Sequence, residues 1–212
     1  MEGAYILPRI ASLDKPLRLA VLISGSGSGL EALLNYQSTP RLHDTKLIIS
    51  DNHNAKGLKY GYEKNINTKI ISLPEITDKI EQRILHEELI HIELIKSKIE
   101  LIVLSGYMRI LTPSFVAKWK GRIINIHPSL LPDFPGANAH RDVIKAGVKL
   151  SGCTVHLVDS GVDTGRILEQ REIEVLPEET TQTLQNKIKK IEHELYPKVL
   201  DLLSEGFYHS IS

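Results

Sequence analysis

The 212-residue chain is expected to fold as an α/β protein with an open, mostly parallel twisted sheet flanked by helices and a C-terminal antiparallel portion. Three observations carry that expectation. Short apolar runs of strand length alternate with helical stripes. A glycine-rich turn follows the first run, where a strand would pass into a helix. The chain closes on a long amphipathic stretch.

Taken in order, residues 1–16 show no period, contain Pro8 and Pro16, and read as a leader without regular structure. Leu17–Ile23 is an apolar run of strand length, and residues 46–50, 69–72 and 99–105 repeat the pattern. Each is rich in Ile, Leu or Val and bounded by turn residues, as buried parallel strands are. Between them, Leu30, Leu33 and Leu34 give one helical stripe, and Ile80, Ile84, Leu85, Leu89 and Ile92 a longer one expected to face the core. Residues 122–127 form a further strand. Residues 152–158 and 167–175 follow without a long helix between them and are expected to pair antiparallel. Leu184, Ile188, Ile191, Leu195, Val199 and Leu202 then recur at three and four, with Thr180 or Thr181 as cap and Gly206 as stop.

Composition narrows the function. Lys+Arg and Asp+Glu are both 26, so no general attraction to nucleic acid or anionic membranes is expected. The single cysteine, Cys153, cannot form an internal disulfide, which fits a reducing cytoplasm; it reads as a small buried hydrophobe. No apolar run reaches the length of a membrane span. The nine histidines lack zinc-site spacing, and His86 and His91 read as surface residues, so no metal is expected.

Three segments carry chemistry. Ser24-Gly25-Ser26-Gly27-Ser28-Gly29 can bring backbone amides close to an anion at a helix start. It fits neither the dinucleotide fingerprint, because Leu30 stands where glycine is required, nor the Walker pattern. It is a phosphate-type turn or a flexible connection. In the strand ending Asn125-Ile126-His127-Pro128, Asn125 and His127 point to one face, and Pro128 stops the ladder. An amide donor beside an imidazole suits an oxyanion, although a lone Asn-x-His also fits a structural histidine. The turn from Asp159 to Gly165 carries two carboxylates. Asp163 either reaches the imidazole or is, with Asp159, an ordinary turn former.

Together with Gly106-Tyr107-Met108-Arg109-Ile110-Leu111 and Pro135-Gly136-Ala137-Asn138-Ala139-His140-Arg141, these motifs resemble, in order and spacing, the folate-dependent phosphoribosylglycinamide formyltransferase family, from about Leu17 to Phe207. The resemblance implies a Rossmann-like formyltransferase fold in one domain, 17–212. Residues 17–105 would be its phosphate-binding half, and 106–212 its folate-binding and catalytic half. It implies formyl transfer from 10-formyltetrahydrofolate to glycinamide ribonucleotide in de novo purine synthesis, by direct amine attack. Catalysis would fall to Asn125, His127 and Asp163, ribonucleotide binding to Gly27, Ser28, Gly29 and Glu192, and folate binding to Tyr107, Met108, Arg109, Ile110 and Leu111. Small-molecule substrates only, a monomer or homodimer, and a cis Leu131–Pro132 bond are further implications. Two positions depart from the family pattern: Gly29 stands where Asn is common, and Arg166 where Pro is common, which would put a cation near the donor's acidic tail. A formyltetrahydrofolate hydrolase, a methionyl-tRNA formyltransferase and a non-catalytic nucleotide-binding module are the rival readings; the first two carry an extra regulatory or RNA-binding domain.

Overall fold

The computed structural model describes residues 5–211. Its strands are β1 (Leu17–Ile23), β2 (His43–Ser50), β3 (Asn67–Ile70), β4 (Leu101–Leu104), β5 (Ile123–His127), β6 (Leu150–Leu157) and β7 (Ile167–Glu174). The helices between and after them are α1 (Ser28–Tyr36), α2 (Leu58–Glu63), α3 (Lys79–Lys96), α4 (Pro113–Lys118), α5 (Ala139–Ala146) and α6 (Thr181–Ser204). One sheet holds all seven strands in the order β3-β2-β1-β4-β5-β6-β7. The β3-to-β5 portion is parallel, and β5–β6 and β6–β7 are antiparallel, as the run pattern predicts. No helix among the described residues is long and apolar enough to cross a membrane.

Two cores lie on opposite faces of the sheet. One packs Leu30, Leu33 and Leu34 of α1, Val143 of α5 and the apolar face of α6 against alternate residues of β1, β4 and β5. The other packs Ile90 and Leu94 of α3 with Phe115, Val116 and Trp119 against the intervening residues. The α6 stripe lies as its periodicity requires: Leu184, Ile188, Leu195 and Val199 are buried, and Ile191 and Leu202 pack against the core edge. Thr180 caps this helix in a capping box with Thr183.

Helix α3 departs from the expected stripe. Ile80, Ile84, Leu85, Leu89 and Ile92 are exposed, and the buried residues are His86, Glu87, Ile90 and Leu94. The displacement has a hydrogen-bonding cause. The His86 ring bonds the Ile71 carbonyl at 2.7 Å, and the Glu87 carboxylate accepts from the Thr112 amide at 2.7 Å and from its hydroxyl, at the start of α4. Those bonds satisfy two polar side chains that would otherwise be costly to bury. His91 is also no free surface residue, because its Nδ1 accepts from Trp119 Nε1 at 3.1 Å.

Residues 5–16 hold no helix or named strand, yet they are pinned. Arg9 forks onto the Glu100 carboxylate at 2.7 and 3.0 Å, and the Ala11 amide donates to the Ser204 carbonyl. Neither contact has a local signature, since each joins positions far apart in the chain.

Candidate active site

The sheet order places the site. The direction in which successive strands are added to the sheet reverses between the parallel neighbours β1 and β4, where a crevice opens at the carboxyl ends of the strands. The glycine turn leaves β1 there, and the 106–111 strip leaves β4. Both border a cavity of about 670 Å3 that also takes in Asn125, His127, His140, His156, Asp163, Lys189, Glu192 and His193. Every residue assigned from the sequence to catalysis, ribonucleotide or folate therefore lines one cavity.

On the wall around His127 the side chains interlock. His127 is 4% exposed. Its Nε2–H donates to the Phe134 carbonyl at 2.8 Å, and its Nδ1 stands 3.3 Å from Asp163 Oδ2. Both ring nitrogens thus face acceptors, an arrangement that a doubly protonated ring satisfies completely. Asp163 Oδ2 also accepts from the Gly136 amide at 2.8 Å, which fixes the carboxylate. Asp163 itself has φ +56°, a left-handed conformation uncommon for a residue with a side chain and found at sites that need an aimed group. Its neighbour Asp159 does the ordinary work of a turn, accepting from the Gly161 amide at 3.1 Å and the Thr164 hydroxyl at 2.8 Å. The two readings left open for these carboxylates thus divide between them.

His156 is the residue that sequence reasoning passed over. It lies across from Asn125 in the β5–β6 ladder. Its Nδ1–H donates to the Leu157 carbonyl at 2.9 Å, which leaves Nε2 to accept from Asn125 Nδ2 at 3.2 Å. Burial, the larger effect, keeps its pKa below the usual histidine range against the opposing pull of Asp163, 3.6 Å away. A neutral His156 accordingly orients the Asn125 amide. The available signal was a histidine inside an otherwise apolar strand run, where an unpaired polar group is costly.

The loop between β5 and α5 is braced from β6 and β7. Thr154 Oγ1 donates to the Ser129 carbonyl at 2.7 Å and accepts from the Leu131 amide, and Gln170 Nε2 donates to the Leu131 carbonyl at 2.9 Å. The Leu131–Pro132 bond in this loop is cis.

The opposite end of the cavity is made of backbone. Gly27 precedes α1 at φ +70° with no side-chain cap, so the first-turn amides remain free for an anion. A Cβ on Gly27 would stand 2.5 Å from the Gly57 Cα. Substituting Gly27 by Val would therefore disturb packing between two chain segments as well as any ligand contact. Tyr196, one turn after Glu192 on α6, donates to the Leu104 and Ile124 carbonyls at 3.1 and 2.9 Å and ties that helix to the sheet. Glu192 borders the cavity, and burial, only partly offset by Lys189, pushes its pKa up to about 7.

Along the 106–111 strip, Tyr107 and Leu111 are buried while Met108 and Ile110 are 71% and 62% exposed and give the cavity an apolar rim. The Met108 amide donates to Ser24 Oγ at 2.9 Å, linking the strip to the glycine turn. Arg109 is held by Asp51 at 2.7 Å. Arg166 is not a lining residue; it lies near Tyr208, whose phenol it helps to hold down against the effect of burial. Among the described residues no group of three or more His, Cys, Asp or Glu is arranged to hold a metal ion. Cys153 is buried, and burial raises its thiol to about 12.

These features coincide with known proteins. The formyl transferase family model matches residues 17–200. A trifunctional purine biosynthetic protein adenosine-3 from Chironomus tentans is 40% identical over 94% of this chain, and the Homo sapiens protein 38% over 91%. The chain spans only 14% and 19% of those relatives' lengths. Crystal structures of phosphoribosylglycinamide formyltransferase from Anaplasma phagocytophilum and Brucella melitensis superpose with TM-scores of 0.82 each, at 39% and 40% identity. They cover 91% and 90% of this chain and 89% and 96% of their own. The chain belongs to the formyl transferase family.

Proposed function

We propose that this protein is a cytoplasmic phosphoribosylglycinamide formyltransferase, which moves the formyl group of 10-formyltetrahydrofolate onto the primary amine of glycinamide ribonucleotide in purine synthesis. The observation that carries the proposal is the interlock of Asn125, His127 and Asp163 on one wall of a cavity whose far end is a bare helix start.

The ribonucleotide phosphate rests on the Gly27–Gly29 turn, and its ribose hydroxyls donate to the Glu192 carboxylate. The donor lies along Tyr107 to Leu111, using backbone groups and the exposed faces of Met108 and Ile110. The amine attacks the formyl carbon, forming the new C–N bond and turning the carbonyl oxygen into an oxyanion. The bond to the folate nitrogen then breaks, and that nitrogen takes up a proton lost by the amine. Asn125 has a second amide N–H for the oxyanion once His156 has engaged the first. His127 serves it through Nδ1, because Nε2 is committed to Phe134. Each such donor is worth roughly 10²–10³ in rate. Asp163, 3.3 Å from Nδ1, orients the ring until the oxyanion takes that N–H, and it relays the amine's proton through water to the leaving nitrogen. The amine is itself a good nucleophile, so no covalent enzyme intermediate and no metal are required.

The test is deformylation of 10-formyl-5,8-dideazafolate, followed by absorbance with and without glycinamide ribonucleotide. Reaction only with the ribonucleotide supports the transferase. Reaction without it makes the protein a hydrolase, and no reaction in either case removes the proposal.

A further inference from the structure

Gly29 is the second residue of α1, in ordinary helical backbone, so its φ does not demand glycine. The Ser105 hydroxyl favours it, because a Cβ built there would stand 2.5 Å from Ser105 Oγ, which would have to turn away. Ser105 directly follows β4, and its amide donates to the Leu22 carbonyl. Its hydroxyl has no hydrogen-bond partner among the described residues, and Ser105 lines the same cavity as the turn. A hydroxyl with an unused donor thus stands beside the free amides of a helix start, in the volume a side chain at position 29 would fill.

We infer that Ser105 is a phosphate-binding side chain of the ribonucleotide subsite, and that Gly29 and Ser105 work as a pair in which the glycine makes room for the hydroxyl. The inference rests on the function proposed above and adds a specificity-determining residue to it. Ser105 Oγ–H donates to a phosphate oxygen alongside the turn amides. The pair explains how this chain dispenses with a side-chain donor at position 29, since the donor reaches the same place from β4. It also couples the two positions: a larger residue at 29 makes the Ser105 hydroxyl turn away from the turn amides, unless residue 105 is smaller than serine.

The experiment is calorimetric titration of the wild type, Ser105→Ala, Gly29→Asn and Gly29→Asn/Ser105→Ala with glycinamide ribonucleotide and with its dephosphorylated nucleoside. Ser105→Ala should weaken ribonucleotide binding about tenfold, as loss of one hydrogen bond to a charged group does, and leave nucleoside binding within about twofold. Gly29→Asn alone should bind the ribonucleotide worse than either parent residue allows, and the double variant should recover to within about threefold of wild type, because the amide then occupies the vacated space. Unchanged ribonucleotide affinity in Ser105→Ala, or an equal loss for nucleotide and nucleoside, overturns the pair while leaving the transferase reading standing. A wild type that binds no ribonucleotide overturns the transferase reading and the pair with it.

Discussion

The two ends of the cavity solve recognition in opposite ways. At the glycine turn the binding groups are backbone amides with no side-chain cap, open to the cavity and carrying no titratable group of their own. At the proposed catalytic wall the side chains are held by one another and by backbone: His127 by Phe134 and Asp163, Asp163 by Gly136, Asn125 by His156. The first end depends mainly on backbone shape, with the Ser105 hydroxyl and the Glu192 carboxyl beside it. The second is preorganised, so that removing one member leaves a buried partner unsatisfied. Binding at one end and chemistry at the other should therefore respond to mutation separately.

The largest effect should come from the wall. Asn125→Ala and His127→Ala should each lower kcat by about 10²–10³ while circular dichroism and ribonucleotide affinity stay near wild type. Next is Glu192, where burial has raised the folded pKa above the unfolded one. A carboxyl shifted in that direction contributes stability that is fully present below about pH 4.5 and is lost as pH rises through about 7. Glu192→Gln removes that loss. It should unfold like wild type at pH 4.5 and be more stable at pH 8 by about 3 kcal/mol in urea titrations, while binding ribonucleotide more weakly. Smaller again is His156→Ala, which leaves Asn125 present but unaimed; kcat should fall about tenfold with KM for both substrates nearly unchanged, and His156→Gln should recover part of the loss. The smallest is Asp159→Ala. Its turn bonds are exposed, so stability should drop by about 1 kcal/mol and turnover by less than about threefold, in contrast to Asp163 four residues later.

The same contrast decides what the sequence reveals. Strand runs, the α6 stripe and its Thr180 cap are local patterns, and they appear in the structure where periodicity puts them, except that the run expected at 69–72 forms β3 two residues earlier, at Asn67–Ile70. Asn125 and His127 are legible because a strand places alternate residues on one face and a proline ends it. The exposed face of α3 was misjudged because the apolar count exceeds one stripe, and the deciding contacts, His86 with Ile71 and Glu87 with Thr112, join separate elements. The role of His156 is hidden for the same reason, since its partner lies across a ladder whose register no local pattern declares. The link between Asp163 and His127 depends on a turn at φ +56° folding back over β5, which spacing alone left open.

The most direct test of this division is to measure kcat and the ribonucleotide dissociation constant in the same preparation of Asp163→Asn. That variant keeps the shape of the side chain and removes its charge. The account predicts a fall in kcat of at least about a hundredfold with the dissociation constant within about twofold of wild type. A dissociation constant that rises in step with the loss of kcat would contradict it, because the catalytic wall and the binding turn would then be one unit.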